Sequence, residues 1–156
     1  MKGILGTICG DVIGSVYEFH PIKTKDFELF NKHSTFTDDT VMTLAIANWL
    51  VKDKTSKRVL INELKLFGNR YINAGYGRMF VAWLRDDDPQ PYGSWANGSA
   101  MRVSPCAWAA DSLEEAQDLA YLSAVVTHNH PEGIKGALAT CDAVYLARIG
   151  ASKEEI

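Results

Sequence analysis

Leu60, Leu64, Phe67 and Tyr71 recur at spacings of four, three and four, and this interval most constrains what the chain can fold into. Residues three and four apart share one face of an α-helix. The interval returns in Met42, Ile46, Trp49 and Leu50, and again in Ile134, Ala137, Leu138, Cys141 and Tyr145. No segment alternates apolar and polar residues at the period of a strand, and no hairpin signal separates two such runs. The pattern predicts an all-α fold, a compact bundle of antiparallel and orthogonal helices.

The spacing predicts helices over residues 2–18, 38–54, 58–74 and 78–85, then a loop over 87–94. A helix restarts near Gly98 and runs to Ala110, with Pro105 as its point of division. Ser112-Leu-Glu-Glu115 is a capping box opening a helix to about His128, and Pro131 suits the first turn of the next. In the first helix Ile4, Ile8 and Val12 share one side, and Gly6, Gly10 and Gly14 are expected to allow close approach.

A length of 156 residues suits one domain, residues 1–156. Lys and Arg total 16 against 19 Asp and Glu, a net charge of -3, with no basic run of the kind that tracks nucleic acid. An anion would have to be held by local backbone groups. The three cysteines, Cys9, Cys106 and Cys141, are odd in number and far apart, which argues against a disulfide framework or a zinc cluster. Each has apolar neighbours and reads as a small core residue, and a reducing cytoplasm is the simplest setting. The apolar start MKGILGTICGDVIG is thinned by Gly6 and Gly10 and ended by Asp11, against a cleaved signal. The apolar run over residues 41–51 falls short of the ~20 residues that cross a bilayer.

Four stretches carry candidate chemistry. Thr37-Asp38-Asp39-Thr40 begins a helix, where a threonine or an acid caps free N–H groups. Two adjacent acids repel unless a cation lies between them, and hard oxygens suit Mg²⁺, Mn²⁺ or Ca²⁺. Capping and metal binding both remain open. Gly10 to Glu18 places Asp11 within a small-residue helix and Glu18 at its end, either as a solvent-facing Asp and a terminal Glu or with Glu18 turned toward a pocket as general base or metal neighbour. The loop Gly93-Ser-Trp-Ala-Asn-Gly-Ser99 enters a helix and is either an ordinary loop or a phosphate cradle. Thr127-His-Asn-His-Pro131 joins two helices, and either histidine reads as a helix-ending residue or as a zinc ligand, for which no third soft ligand is nearby.

Taken in order, G-D-x-x-G-x-x-x-E, F-T-D-D-T, P-Y-G-S-W-x-N-G-S-A-M-R and T-H-N-H-P-E-G closely resemble the ADP-ribosylglycohydrolase family, from about Gly3 to Ile156. That family includes the dinitrogenase-reductase-activating glycohydrolases. The resemblance implies an all-α fold with a binuclear Mg²⁺ or Mn²⁺ centre. It implies hydrolysis of the bond joining ADP-ribose to an acceptor, such as a protein side chain. By position, Thr37, Asp38 and Asp39 resemble metal ligands, and Glu18, Asp38 and Asp39 the catalytic acids. Gly93, Ser94, Trp95, Asn97, Gly98, Ser99 and His128 resemble the residues holding ADP-ribose, with His130 matched less securely. Asp11 is expected to brace the fold.

Two departures stand out. Ala96 occupies a position where the family usually has glycine, which alters the loop's backbone freedom. The family's late Asp-x-Asp cluster, which completes the metal site, has no counterpart here. After His130 the acids are Glu132, Asp142, Glu154 and Glu155. Ser152-Lys-Glu-Glu155 is a capping box with no helix after it, so a C-terminally truncated chain is expected. Half a ligand set should leave it weakly active or inactive, with exposed apolar faces that favour self-association. The alternative is a non-catalytic ADP-ribose-binding or regulatory module.

Overall fold

A computed structural model of the chain describes residues 2–156; Met1, part of the N-terminal run considered as a leader, lies outside them. The described residues form eight helices: α1 Lys2–Gly14, α2 Asp38–Asp53, α3 Lys57–Arg70, α4 Arg78–Arg85, α5 Gly98–Met101, α6 Ser104–Ala109, α7 Leu113–Val125 and α8 Pro131–Ile149. Among the described residues there is no strand. The all-α expectation holds. Among the described residues no helix is long and apolar enough to cross a membrane.

α2 is the centre of the molecule. Met42, Ala45, Ile46 and Trp49 are fully buried, because the four-three spacing collects them on the face that meets its neighbours. α2 packs on α3 and α6, and also meets α1 and α5. α7 and α8 form a second pair, roofed by α6. Leu60 and Leu64 enter the core as the period requires, and Phe67 packs against its edge. Tyr71 lies beyond α3, as its C-cap, and is 40% exposed. The chain breaks at Arg102 and Val103, and Pro105 falls in the first turn of α6, where its missing N–H has no intrahelical acceptor to lose.

Two first-helix expectations fail. α1 stops at Gly14 rather than reaching Glu18. A Cβ on Gly6, Gly10 or Gly14 would meet nothing within 4 Å, so these glycines face open space. The close approach is made by Gly3, where a Cβ would lie 1.8 Å from the Trp108 ring. Cys106 and Cys141 are core residues, whereas Cys9 is exposed on α1.

Capping follows the sequence with one change. Ser112 Oγ accepts from the Glu115 N–H, but the Glu115 carboxylate reaches back to the Asp111 N–H at 2.8 Å instead of that of Ser112. Arg148 donates to the carbonyls of Ala107, Trp108 and Ala110, closing the C-terminal end of α6 with a cation at the negative end of the helix. At residues 152–155 the Glu155 carboxylate accepts from the Ser152 N–H, so part of the capping-box geometry forms in a turn.

Candidate functional site

Thr37 is the N-cap of α2: its Oγ1 accepts from the Asp39 N–H at 3.3 Å. That hydrogen bond fixes where Asp38 and Asp39 leave the helix start. The threonine is in turn held from α1. Asp11 accepts from the Thr37 N–H at 2.8 Å and from the Thr37 hydroxyl at 2.6 Å, and its Oδ2 also takes the N–H and hydroxyl of Thr40. Asp11 therefore faces α2 rather than solvent, and it braces the helix start.

A cavity of about 390 Å³ opens beside this helix start. Asp38, Asp39 and Glu18 line it, and so do Ser94, Asn97, Gly98 and His128. Thr37 lies on a second cavity, which shares Glu18 and Gly75 with the first. Burial pushes Asp38 up to about 6, with the neighbouring charges of Asp39, Glu18 and Asp11 acting the same way. Asp39 is raised too, by burial first and then by Asp11, against the Thr37 hydrogen bond. Excess negative charge is thus gathered at one wall.

The start of α2 suits a hard divalent cation in kind: the Asp38 and Asp39 carboxylates and the Thr37 hydroxyl, all oxygen. It falls short in number. Among the described residues no group of three or more His, Cys, Asp and Glu is placed to hold a metal, whereas Mg²⁺ takes about six oxygens. Thr37 Oγ1 already gives its proton to Asp11 and one lone pair to the Asp39 N–H, so only its second lone pair is free.

The Gly93–Ser99 loop is stitched to the segment after α7. The Gly93 N–H donates to Asn129 Oδ1 at 2.7 Å, the Tyr92 N–H to the Thr127 carbonyl, and the Ser99 hydroxyl to the Gly133 carbonyl at 2.8 Å. Gly93 has φ +65, which favours glycine. Two further glycines are required by contact. A Cβ on Gly98 would sit 2.9 Å from the His128 ring, and one on Gly133 would sit 2.5 Å from the Ser94 carbonyl. Ala96 has no positive φ, so alanine fits the backbone there.

The loop residues named from sequence take different places. Ser94, Asn97 and Gly98 line the cavity. Ser99 is buried with its hydroxyl committed to Gly133, Gly93 turns the chain, and Trp95 is 73% exposed beside His130. His128 ends no helix; it is buried past α7, and burial followed by the Arg102 charge lowers its pKa to about 4. His130 is the N-cap of α8, its Nδ1 accepting from the Glu132 N–H at 3.2 Å. The sequence reading assigned no role to Asn129, Tyr92 or Tyr76. Asn129 lies between the two histidines, a local cue to a loop-bracing amide. The Tyr76 hydroxyl is buried without a partner near Asp38, and nothing in the spacing announces it.

The family model for ADP-ribosylglycohydrolase matches residues 1–156. The chain is 30% identical to ADP-ribosylhydrolase ARH3 of Mus musculus, over 97% of its own length and 50% of the relative's. The human ARH3 gives the same identity and coverage. ADP-ribosylarginine hydrolase Tri1 of Pseudomonas putida (strain GB-1) is 29% identical, over 97% of the chain and 47% of Tri1. The chain spans about half the length of the curated relatives it matches. It belongs to the ADP-ribosylglycohydrolase family.

Proposed function

We propose that this chain supplies the ADP-ribose-holding part of a metal-dependent hydrolase that cleaves the glycosidic bond between ADP-ribose and an acceptor. The observation that carries this reading is one cavity lined both by the acids Glu18, Asp38 and Asp39 and by Ser94, Asn97, Gly98 and His128. The named relatives are ADP-ribosyl hydrolases, and this chemistry needs both groups. Cleavage builds oxocarbenium character at the anomeric carbon, which nearby carboxylates stabilise. Ser94, Asn97 and Gly98 would hold the phosphates and a ribose, fixing the bond against the acids. Glu18, at the junction of the two cavities, would take a proton from the attacking water or return one to the departing acceptor. Asp38, Asp39 and the free lone pair of Thr37 would hold one face of a Mg²⁺ or Mn²⁺ ion. When bound, such an ion supplies positive charge that orients ribose hydroxyls.

A second reading, a non-catalytic ADP-ribose-binding module, is favoured by the short ligand set at Asp38 and Asp39. Calorimetric titration with ADP-ribose, with and without Mg²⁺ or Mn²⁺, tests both readings. Release of ADP-ribose from a modified protein is measured alongside. Metal-dependent binding with turnover supports the hydrolase. Binding without turnover supports the module, and is also what the short ligand set predicts for this chain alone. No binding under either condition refutes both.

A further inference from the structure

Arg102 is 1% exposed and, among the described residues, has no carboxylate partner in its hydrogen bonds. One terminal nitrogen donates to the Ser123 carbonyl at 2.6 Å and to Thr127 Oγ1 at 2.8 Å, while Nε is buried without a partner. Thr127 is itself fully buried, and its Oγ1 lies 2.7 Å from His128 Nδ1. These three residues form a chain in which the protons can be counted. A guanidinium only donates, so Thr127 Oγ1 accepts from Arg102. The hydroxyl proton then needs an acceptor, and Nδ1 is the ring atom facing it. Were Nδ1 to carry a proton, the Thr127 hydroxyl proton would be buried and unsatisfied, a costly arrangement.

We infer that Arg102 and Thr127 are positioning residues that fix His128 as the neutral tautomer protonated on Nε2, so that the ring offers an N–H donor to the cavity. The ring points the right way: Nε2 would be 3.0 Å from a Cβ on Gly98, at the wall shared with Asn97 and Ser94. Burial and the nearby guanidinium also keep the ring uncharged, its pKa lowered to about 4. The group this donor suits is an oxygen acceptor, either a ribose hydroxyl or a phosphate oxygen of a nucleoside diphosphate sugar. That last step rests on the ADP-ribose reading; the tautomer does not.

The test is ¹⁵N NMR of the imidazole nitrogens in the free protein at neutral pH, followed by titration with ADP-ribose. The wild-type spectrum is expected to show an unprotonated Nδ1 and a protonated Nε2. In Thr127→Val the two nitrogen signals should move toward each other as the tautomers exchange, and ADP-ribose should bind roughly five- to tenfold more weakly. Thr127→Ser, which keeps the hydroxyl, should restore both. A wild-type spectrum with Nδ1 protonated, or with an imidazolium, overturns the assignment whether or not ADP-ribose binds; so does a folded Thr127→Val with an unchanged spectrum. If Thr127→Val does not fold, the wild-type and Thr127→Ser spectra still decide. The expected spectrum without ADP-ribose binding supports the tautomer and overturns the ligand.

Discussion

Asp11 and Thr37, 26 residues apart, are joined twice: one carboxylate takes both the backbone N–H and the hydroxyl of the threonine. The helix start that aims Asp38 and Asp39 is therefore set by α1. Asp11→Asn keeps the size but replaces one acceptor oxygen with a donor. It should lower unfolding stability by about 2–3 kcal/mol, since hydrogen bonds to a charged group are among the stronger ones. Urea denaturation with an unchanged m-value reads this directly. A loss under about 0.5 kcal/mol would show that Asp11 does not brace the segment.

Asp38 should cost stability at neutral pH. Its folded pKa is raised from 3.8 to about 6, by burial first and by Asp39 second. The protonated form is favoured in the fold, so its contribution is full below the unfolded value and is lost as pH rises through the folded one. In metal-free buffer, Asp38→Asn should match the wild type near pH 4 and exceed it by roughly 1–2 kcal/mol at pH 7, allowing for solvent screening. Added Mg²⁺ should narrow the gap. Identical pH profiles for the two proteins would refute the assignment.

His128 runs in the other sense. Its folded pKa falls from 6.5 to about 4 because the ring is buried near Arg102. The unfolded chain therefore takes up a proton that the folded one refuses, and stability is lost as pH falls through that window. His128→Gln should remove roughly 2–3 kcal/mol of this acid sensitivity. Thermal unfolding of both proteins at a series of pH values from neutral to acidic checks it.

The glycines divide by contact. Gly98→Ala would drive a methyl group into the His128 ring, and ADP-ribose affinity should fall by tenfold or more on the order of a misplaced ring. Gly10→Ala, inside α1 with nothing within 4 Å, should instead stabilise the chain by about 0.5–1 kcal/mol. Calorimetry on the first variant and chemical denaturation on the second separate the two kinds.

Phe19 is 81% exposed and Val51 85% exposed, and Phe30 and Phe36 are also open to solvent. Large apolar groups in such number favour association. Light scattering is expected to show a mass that rises with concentration, and Phe19→Ser together with Phe36→Ser should reduce the rise. A monomer at every concentration would count against it.

The helices were legible because burial on one face leaves a period in the chain. α2 and α4 fall where the spacing puts them, and the capping residues Ser112 and Thr37 mark their helix starts. α1 misled because its small residues give a weak pattern and glycine recurs at positions 6, 10 and 14, so Gly14 did not stand out as the end and the contact face could not be read. The Gly-Ser loop was visible as a loop, but Ser94 and Ser99 look alike in sequence. Only the pairing with Gly133 sends one hydroxyl to a carbonyl while the other residue lines the cavity.

Local periodicity and capping chemistry determined the helices, because both act within a few residues. Motif order determined the family resemblance. The tertiary structure alone decided that Thr37 both caps α2 and leans on Asp11, that the acids share a cavity with His128, and that Arg102 stands behind His128 without an acid of its own. Each of these depends on residues brought together from distant parts of the chain. Their energies come from burial and hydrogen bonding in a low-dielectric interior, which a linear pattern does not encode.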